Sequence, residues 1–146
     1  MSQMGQTSQV LTITADPARL ADVRQFVREQ AAQLGADGEA TDDIVTAVDE
    51  LVTNSIIHGY RGGEGAVEVE IGASGASMVV HLRDHAPPFD PTKLAAPDTT
   101  LPPEQRPKGG LGIYLSRAAT DGLTYRRSED GNKTTLIRNL ASGEGG

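Results

Sequence analysis

The chain has 146 residues, with 20 acidic and 13 basic side chains and a formal net charge of −7. That length fits one domain with a real core. The lack of Cys excludes a disulfide, a thiolate zinc site or a Cys nucleophile and suits a reducing cytoplasm. The acidic balance disfavours nucleic acid as the main partner, because phosphate backbones want excess Lys and Arg; it leaves nucleotides open, since local geometry binds them.

Met1 to Val10 carries neither a basic segment nor an apolar core, which argues against a secretory signal. No apolar run is long enough to span a bilayer. Residues 1–8 are read as a flexible N-terminus. Gln9 to Thr14 alternates apolar and polar side chains and predicts a strand. Asp16-Pro17 predicts a helix start, with Asp as N-cap and Pro in the first turn. That helix places Leu20, Val23, Phe26, Val27 and Leu34 on one face, and Gly35 ends it. Thr41-Asp42-Asp43 predicts the opening of a second helix, running to about His58. Ala66–Ile71 and Met78–Asp84 read as strands joined by a turn over Gly72–Gly75.

Residues 85–108 then hold seven of the eight prolines and no glycine. Such a stretch predicts a long loop, and loops of that length are usually functional. Lys108-Gly-Gly-Leu-Gly-Ile113 runs into a third helix, to about Thr120. Two strands, near 123–128 and 133–139, close the domain, and residues 141–146 read as a flexible tail. The order β-α-α-β-β-loop-α-β-β predicts an α+β, two-layer sandwich: a mostly antiparallel sheet covered on one face by helices.

Three clusters offer chemistry. On the second helix, Glu50 and Asn54 lie one turn apart, opposite the apolar face of Ile44, Val48, Leu51 and Val52. A carboxylate can act as a general base, and an amide oxygen can hold a hard cation. A solvated polar face would carry the same residues, but Ala47 and Ile57 share that side. His58 fits a helix C-terminal dipole partner. Asp84 ends a strand and enters the long loop, so it can accept a hydrogen bond from an exocyclic amine or serve as an ordinary turn residue. Lys108 with Gly109, Gly110, Leu111 and Gly112 opens a helix, where free N–H groups can face an anion. The segment is neither a P-loop nor a Rossmann turn.

Taken together, Ala47-Val-Asp-Glu-Leu-Val-Thr-Asn-Ser-Ile-Ile-His-Gly-Tyr60 resembles the N-box of the GHKL-type (Bergerat-fold) ATPases. Arg83-Asp-His-Ala-Pro-Pro-Phe-Asp-Pro91 resembles their G1 box, and Lys108-Gly-Gly-Leu-Gly-Ile-Tyr-Leu115 their G2 box. Gly131-Asn-Lys-Thr-Thr-Leu136 is similar to the closing motif of the last strand. The resemblance runs from about residue 9 to 140 and is nearest to the bacterial anti-sigma-factor serine/threonine kinases.

It implies a histidine-kinase-like ATPase domain over 9–140, with an ATP lid at about 91–107. It implies Glu50 as catalytic carboxylate, Asn54 as the Mg²⁺ holder, and Asp84 as partner of the adenine amino group. Thr135 falls near the same base, His58 in the pocket-lining N-box, Pro88 and Phe89 in the nucleotide-binding G1 box, and Lys108–Gly112 around the phosphates. The implied cofactors are ATP and Mg²⁺. The implied partners are a small antagonist protein as phosphorylation substrate, a sigma factor, and a second copy in a homodimer, all in the cytoplasm. A nucleotide-dependent binding module without kinase activity, or a separate histidine-kinase-like catalytic domain, would share the motifs. The departure lies at Ala86, where the family has Gly; Pro87 and Pro88 follow it and predict a stiffer wall beside the base.

Overall fold

The structure is a computed structural model, which describes residues 8–61, 63–87 and 120–140. Five strands form one sheet: β1 (Gln9–Thr14), β2 (Ala66–Ser74), β3 (Ser77–Asp84), β4 (Gly122–Ser128) and β5 (Gly131–Asn139). The spatial order is β1-β2-β3-β5-β4, and every neighbouring pair is antiparallel. Two helices, α1 (Leu20–Gln33) and α2 (Gly38–Asn54), lie between β1 and β2 in sequence. They pack on one face of the sheet, which gives the α+β architecture expected from the sequence.

The core follows from the two periodicities. From α1 come Val23, Val27 and Ala31; from α2 come Ile44, Val48 and Val52, all with no exposure. They meet Val67, Val69 and Ile71 of β2, Met78, Val80 and Leu82 of β3, and Leu136 of β5. In β2 and β3 these core residues are two apart, so the side chains between them leave for the other face.

Asp16 caps as expected: its carboxylate accepts from the Ala18 amide at 2.9 Å. A single 3₁₀ turn, Pro17–Arg19, precedes α1. Gly35 turns the chain at φ 90°, as a helix-ending glycine does. Helix α2 begins earlier than Thr41 predicts. Asp37 is its N-cap, accepting from the Ala40 amide at 2.8 Å, and Thr41 is buried inside the helix. Asp and Thr are both good caps, and the one whose side chain stays outside the core takes the role.

The α-helix also stops sooner. From Ser55 to Tyr60 the turn widens to a π-helix, ending at Arg61 with φ 55°. The β2–β3 connection is the two residues Gly75 and Ala76, so Gly72 lies within β2, where it is buried. Likewise β5 starts at Gly131, and only Glu129-Asp130 links it to β4. The expected loop over 88–108, the lid at 91–107, the third helix and the flexible ends at 1–7 and 141–146 lie outside the described residues.

Candidate functional site

A small cleft, with a cavity volume of about 30 Å³, opens where α2 becomes the π-turn, β3 ends and β5 begins. Its lining includes Leu51, Asn54, Ser55, Gly59, Leu82 and Asp84. Ala86, Pro87, Asn132 and Thr134 complete it. Two sequence-predicted residues, Asn54 and Asp84, therefore come together here.

Asp84 is 8% exposed, so its charge needs partners. Oδ2 accepts the Ser55 hydroxyl at 2.8 Å. Oδ1 accepts the Asn132 amide at 2.7 Å and the Ala86 backbone N–H at 3.0 Å. A carboxylate has about four lone-pair positions, so one acceptor site is left for a ligand. Asn132 is the direct cross-strand partner of Asp84. Its amide nitrogen also donates to the Ala86 carbonyl at 2.9 Å, which takes a second bond from Arg127 at 2.9 Å. The Tyr125 hydroxyl closes the set on Asn132 Oδ1.

Backbone approach makes this possible. At Gly131, φ is 109°, and a Cβ there would stand 2.2 Å from the Asp84 carbonyl oxygen. At Gly59 a Cβ would stand 2.8 Å from that of Ala86, so the π-turn and the β3 exit touch through a missing side chain. Wide helical turns of this kind recur at functional sites. Tyr60 pins the outer end: its hydroxyl donates to the Ala66 carbonyl at 2.7 Å and accepts the His85 N–H at 2.8 Å.

Asn54 is 6% exposed, and its Nδ2 has no hydrogen-bond partner. It is the only such buried side-chain atom among the described residues. An orphan amide on a cleft wall is costly unless a ligand engages it. The same amide carries a hard oxygen donor, so the residue fits a role in holding a Mg²⁺–phosphate group.

Other sequence-predicted residues sit elsewhere. Glu50 is half-buried one turn before Asn54 and does not line the cleft. His58 is exposed on the π-turn, where its carbonyl accepts from Arg61 Nε at 3.4 Å, and it too is absent from the lining. Thr135 points to the opposite face of the sheet, where its hydroxyl meets His81 Nδ1 at 2.9 Å. Its neighbour Thr134 is the threonine of the cleft. Leu136 is fully buried under the helices, so alternation sends Thr134 inward and Thr135 outward. Pro88, Phe89 and Lys108–Gly112 lie outside the described residues.

The sheet's other face is polar. Arg83 pairs with Glu68 at 2.6 Å and Glu70 at 3.0 Å, and Ser8 donates to Glu70 at 3.0 Å. Burial alone would raise the Glu70 carboxyl; the Arg83 and Ser8 hydrogen bonds and the Arg83 charge outweigh it and hold it below its ordinary value. His81 is lowered, first by burial, then by the charges of Lys133 and Arg83.

Among the described residues no cluster of three or more His, Cys, Asp or Glu could hold a metal. None of their helices is long and apolar enough to cross a membrane.

Comparison with known proteins bears on the family and the fold. The model of the histidine kinase-like ATPase domain matches residues 13–138. The chain is 33% identical over 115 residues to the anti-sigma F factor of Clostridium kluyveri, covering 78% of this chain and 80% of that one. It is 24% identical over 123 residues to the serine-protein kinase RsbW of Bacillus cereus, covering 82% of this chain and 77% of that one. The crystal structure of the RsbU and RsbW domains of Rv1364c from Mycobacterium tuberculosis superposes with a TM-score of 0.66 at 22% identity. That superposition covers 92% of this chain and 33% of the longer one, and it shows a shared fold. From residue 13 to 138, and so over most of its length, this chain belongs to the histidine kinase-like ATPase domain family.

Proposed function

We propose that the chain is an ATP-dependent protein serine/threonine kinase. It phosphorylates a small antagonist protein and, in its other complex, holds a sigma factor. The observation that carries the reading is the buried Asp84 carboxylate, fixed by three donors with one acceptor site free, beside the orphan amide of Asn54. An acceptor-only group at a cleft wall suits the amino group of adenine. The names of the relatives, an anti-sigma factor and a serine-protein kinase, point to the same class.

In this mechanism Asp84 orients the base, and Ser55 and Asn132 keep its carboxylate from rotating. The motif Lys108–Gly112 would supply backbone amides and an ammonium to offset the charge of the phosphates. Mg²⁺, when bound, neutralises charge on the transferring phosphoryl group, and the side-chain oxygen of Asn54 is the donor that would hold it. Glu50 accepts the proton of the antagonist's Ser or Thr hydroxyl as that oxygen attacks the γ-phosphorus and ADP leaves. Phosphoryl transfer is mostly positioning and electrostatics, so one base and a well-held nucleotide suffice.

The test mixes the purified chain with a candidate antagonist and γ-labelled ATP. Transfer to Ser or Thr is expected from the wild type. Glu50→Gln should cut the rate roughly 100- to 10,000-fold, in line with loss of a general base, while ATP affinity holds within a few-fold. Undiminished transfer by Glu50→Gln would remove Glu50 from the chemistry. ATP binding with no transfer to any antagonist, and partner affinity that changes with nucleotide, would favour a binding module. The position of Glu50 outside the described cleft lining keeps that second reading in play.

A further inference from the structure

We propose that Asn132 is a positioning residue that sets base selectivity by holding Asp84 as a fixed hydrogen-bond acceptor. The inference rests on the nucleotide reading of the cleft given above. The Asn132 side chain is 7% exposed, and its hydrogen bonds leave one orientation only. Its Nδ2 faces two pure acceptors, the Asp84 carboxylate at 2.7 Å and the Ala86 carbonyl at 2.9 Å. Reversing the amide would set an oxygen against both. Oδ1 therefore faces Tyr125, whose hydroxyl must donate.

The relay runs one way, from the Tyr125 O–H to the Asn132 oxygen, and from the Asn132 N–H₂ to Asp84 and Ala86. Asp84 is thereby left with acceptor capacity alone toward the cleft. Arg127 adds a charged donor on the Ala86 carbonyl at 2.9 Å, so the turn that carries Pro87 is clamped from the same strand pair. Ala86 itself is buried and its carbonyl is bonded twice.

An exocyclic amine gains from a fixed acceptor, and a carbonyl at the same ring position is repelled by it. ATP and inosine triphosphate differ at that ring position, amine against carbonyl, and at the adjacent N1, which carries a proton only in inosine. Loss of the relay should therefore weaken ATP much more than inosine triphosphate. A role in folding alone would weaken both alike.

The experiment measures calorimetric affinities of the full chain for ATP and for inosine triphosphate, each with Mg²⁺. The wild type should prefer ATP. In Asn132→Ala, ATP affinity should fall on the order of 10- to 100-fold, the usual effect of losing a bond to a buried charge. Inosine triphosphate should change by less than about threefold, so the preference narrows. Tyr125→Phe removes only the outer hydroxyl and should narrow the preference by roughly two- to fivefold. It reads the same quantity if Asn132→Ala does not fold. An unchanged ATP preference in folded variants would overturn the role of Asn132. A wild type that binds neither nucleotide would instead overturn the nucleotide reading itself.

Discussion

Substituting Asp84→Asn separates the fold of the cleft from its recognition chemistry. The amide is isosteric with the carboxylate, and its oxygen can keep both Oδ1 bonds, to Asn132 at 2.7 Å and the Ala86 N–H at 3.0 Å. The new NH₂ then faces Ser55, 2.8 Å from the original Oδ2. A hydroxyl can rotate to accept, so no buried donor is stranded there. What is lost is charge assistance on three bonds, about 0.5–1.5 kcal/mol each at most, offset by the lower desolvation cost of a neutral amide. The net change should stay within about 1.5 kcal/mol, a drop in Tm of roughly 3–6 °C for a chain of this size. Recognition changes sign instead, because the one free position now presents a donor to the donor of an adenine amine. Saturation at 100 times Kd stabilises a protein by about 2.7 kcal/mol, so the wild type should gain roughly 5–10 °C in Tm. The assay is thermal unfolding by circular dichroism with and without ATP and Mg²⁺. A cooperative Asp84→Asn transition with the ATP-induced rise gone is the expected result. A full ATP-induced rise in Asp84→Asn would refute the assignment of base recognition to this carboxylate.

Gly131→Ala should destabilise by about 3 kcal/mol or more. It combines a left-handed φ with overlap on the Asp84 carbonyl, whereas Gly75→Ala, at φ 60° with open space around it, should cost only about 1 kcal/mol; urea midpoints of the two variants check the difference. His81 is held below its ordinary value of 6.5 by burial, then by Lys133 and Arg83, with Glu70 opposing. The unfolded chain therefore binds the His81 proton first, and this contribution is full above about pH 6.5 and declines as the pH falls toward the lowered folded value. His81→Gln should flatten the loss of Tm between pH 8 and pH 5.5; an equally steep loss in the variant would discard His81 as its source.

Much of the fold was legible because its signals are local. The alternation of Gln9–Thr14, the Asp16-Pro17 start and the heptad-like apolar face of α2 each need only a few neighbouring residues. The two-layer order followed from counting them. The misplaced start of α2 comes from competition between adjacent candidates. Asp37 and Thr41 can both cap α2, and packing of Thr41 against the core decides. The structure sets Thr135 against His81 on the outer face and Thr134 in the cleft; Leu136 and Ile137 are adjacent apolar residues of opposite parity, so the strand pattern alone does not choose between the two threonines. Asn132, Tyr125 and Arg127 were missed because their role depends on which residue of β5 stands opposite Asp84. That register is a property of the whole sheet and of a glycine at φ 109°.

The strand that orients Asp84 belongs to the part of the sheet with least apolar support. Strand β4 has no buried side chain, and β5 contributes Leu136 alone to the apolar core. Strands β2 and β3, by contrast, hold most of the sheet's buried aliphatic residues. Register in β4–β5 therefore depends on polar contacts: Tyr125 to Asn132, Asn132 to Asp84, Arg127 to Ala86, and the Asp121 carboxylate on the Asn139 N–H at 2.6 Å. Hydrogen bonds are directional where apolar contact is not, and a slip of one residue would turn Asn132 to the outer face and Lys133 toward Asp84. The same bonds that fix the carboxylate for a ligand thus fix the pairing of the strands. That is why the proposed recognition site and the closing hairpin cannot be altered independently.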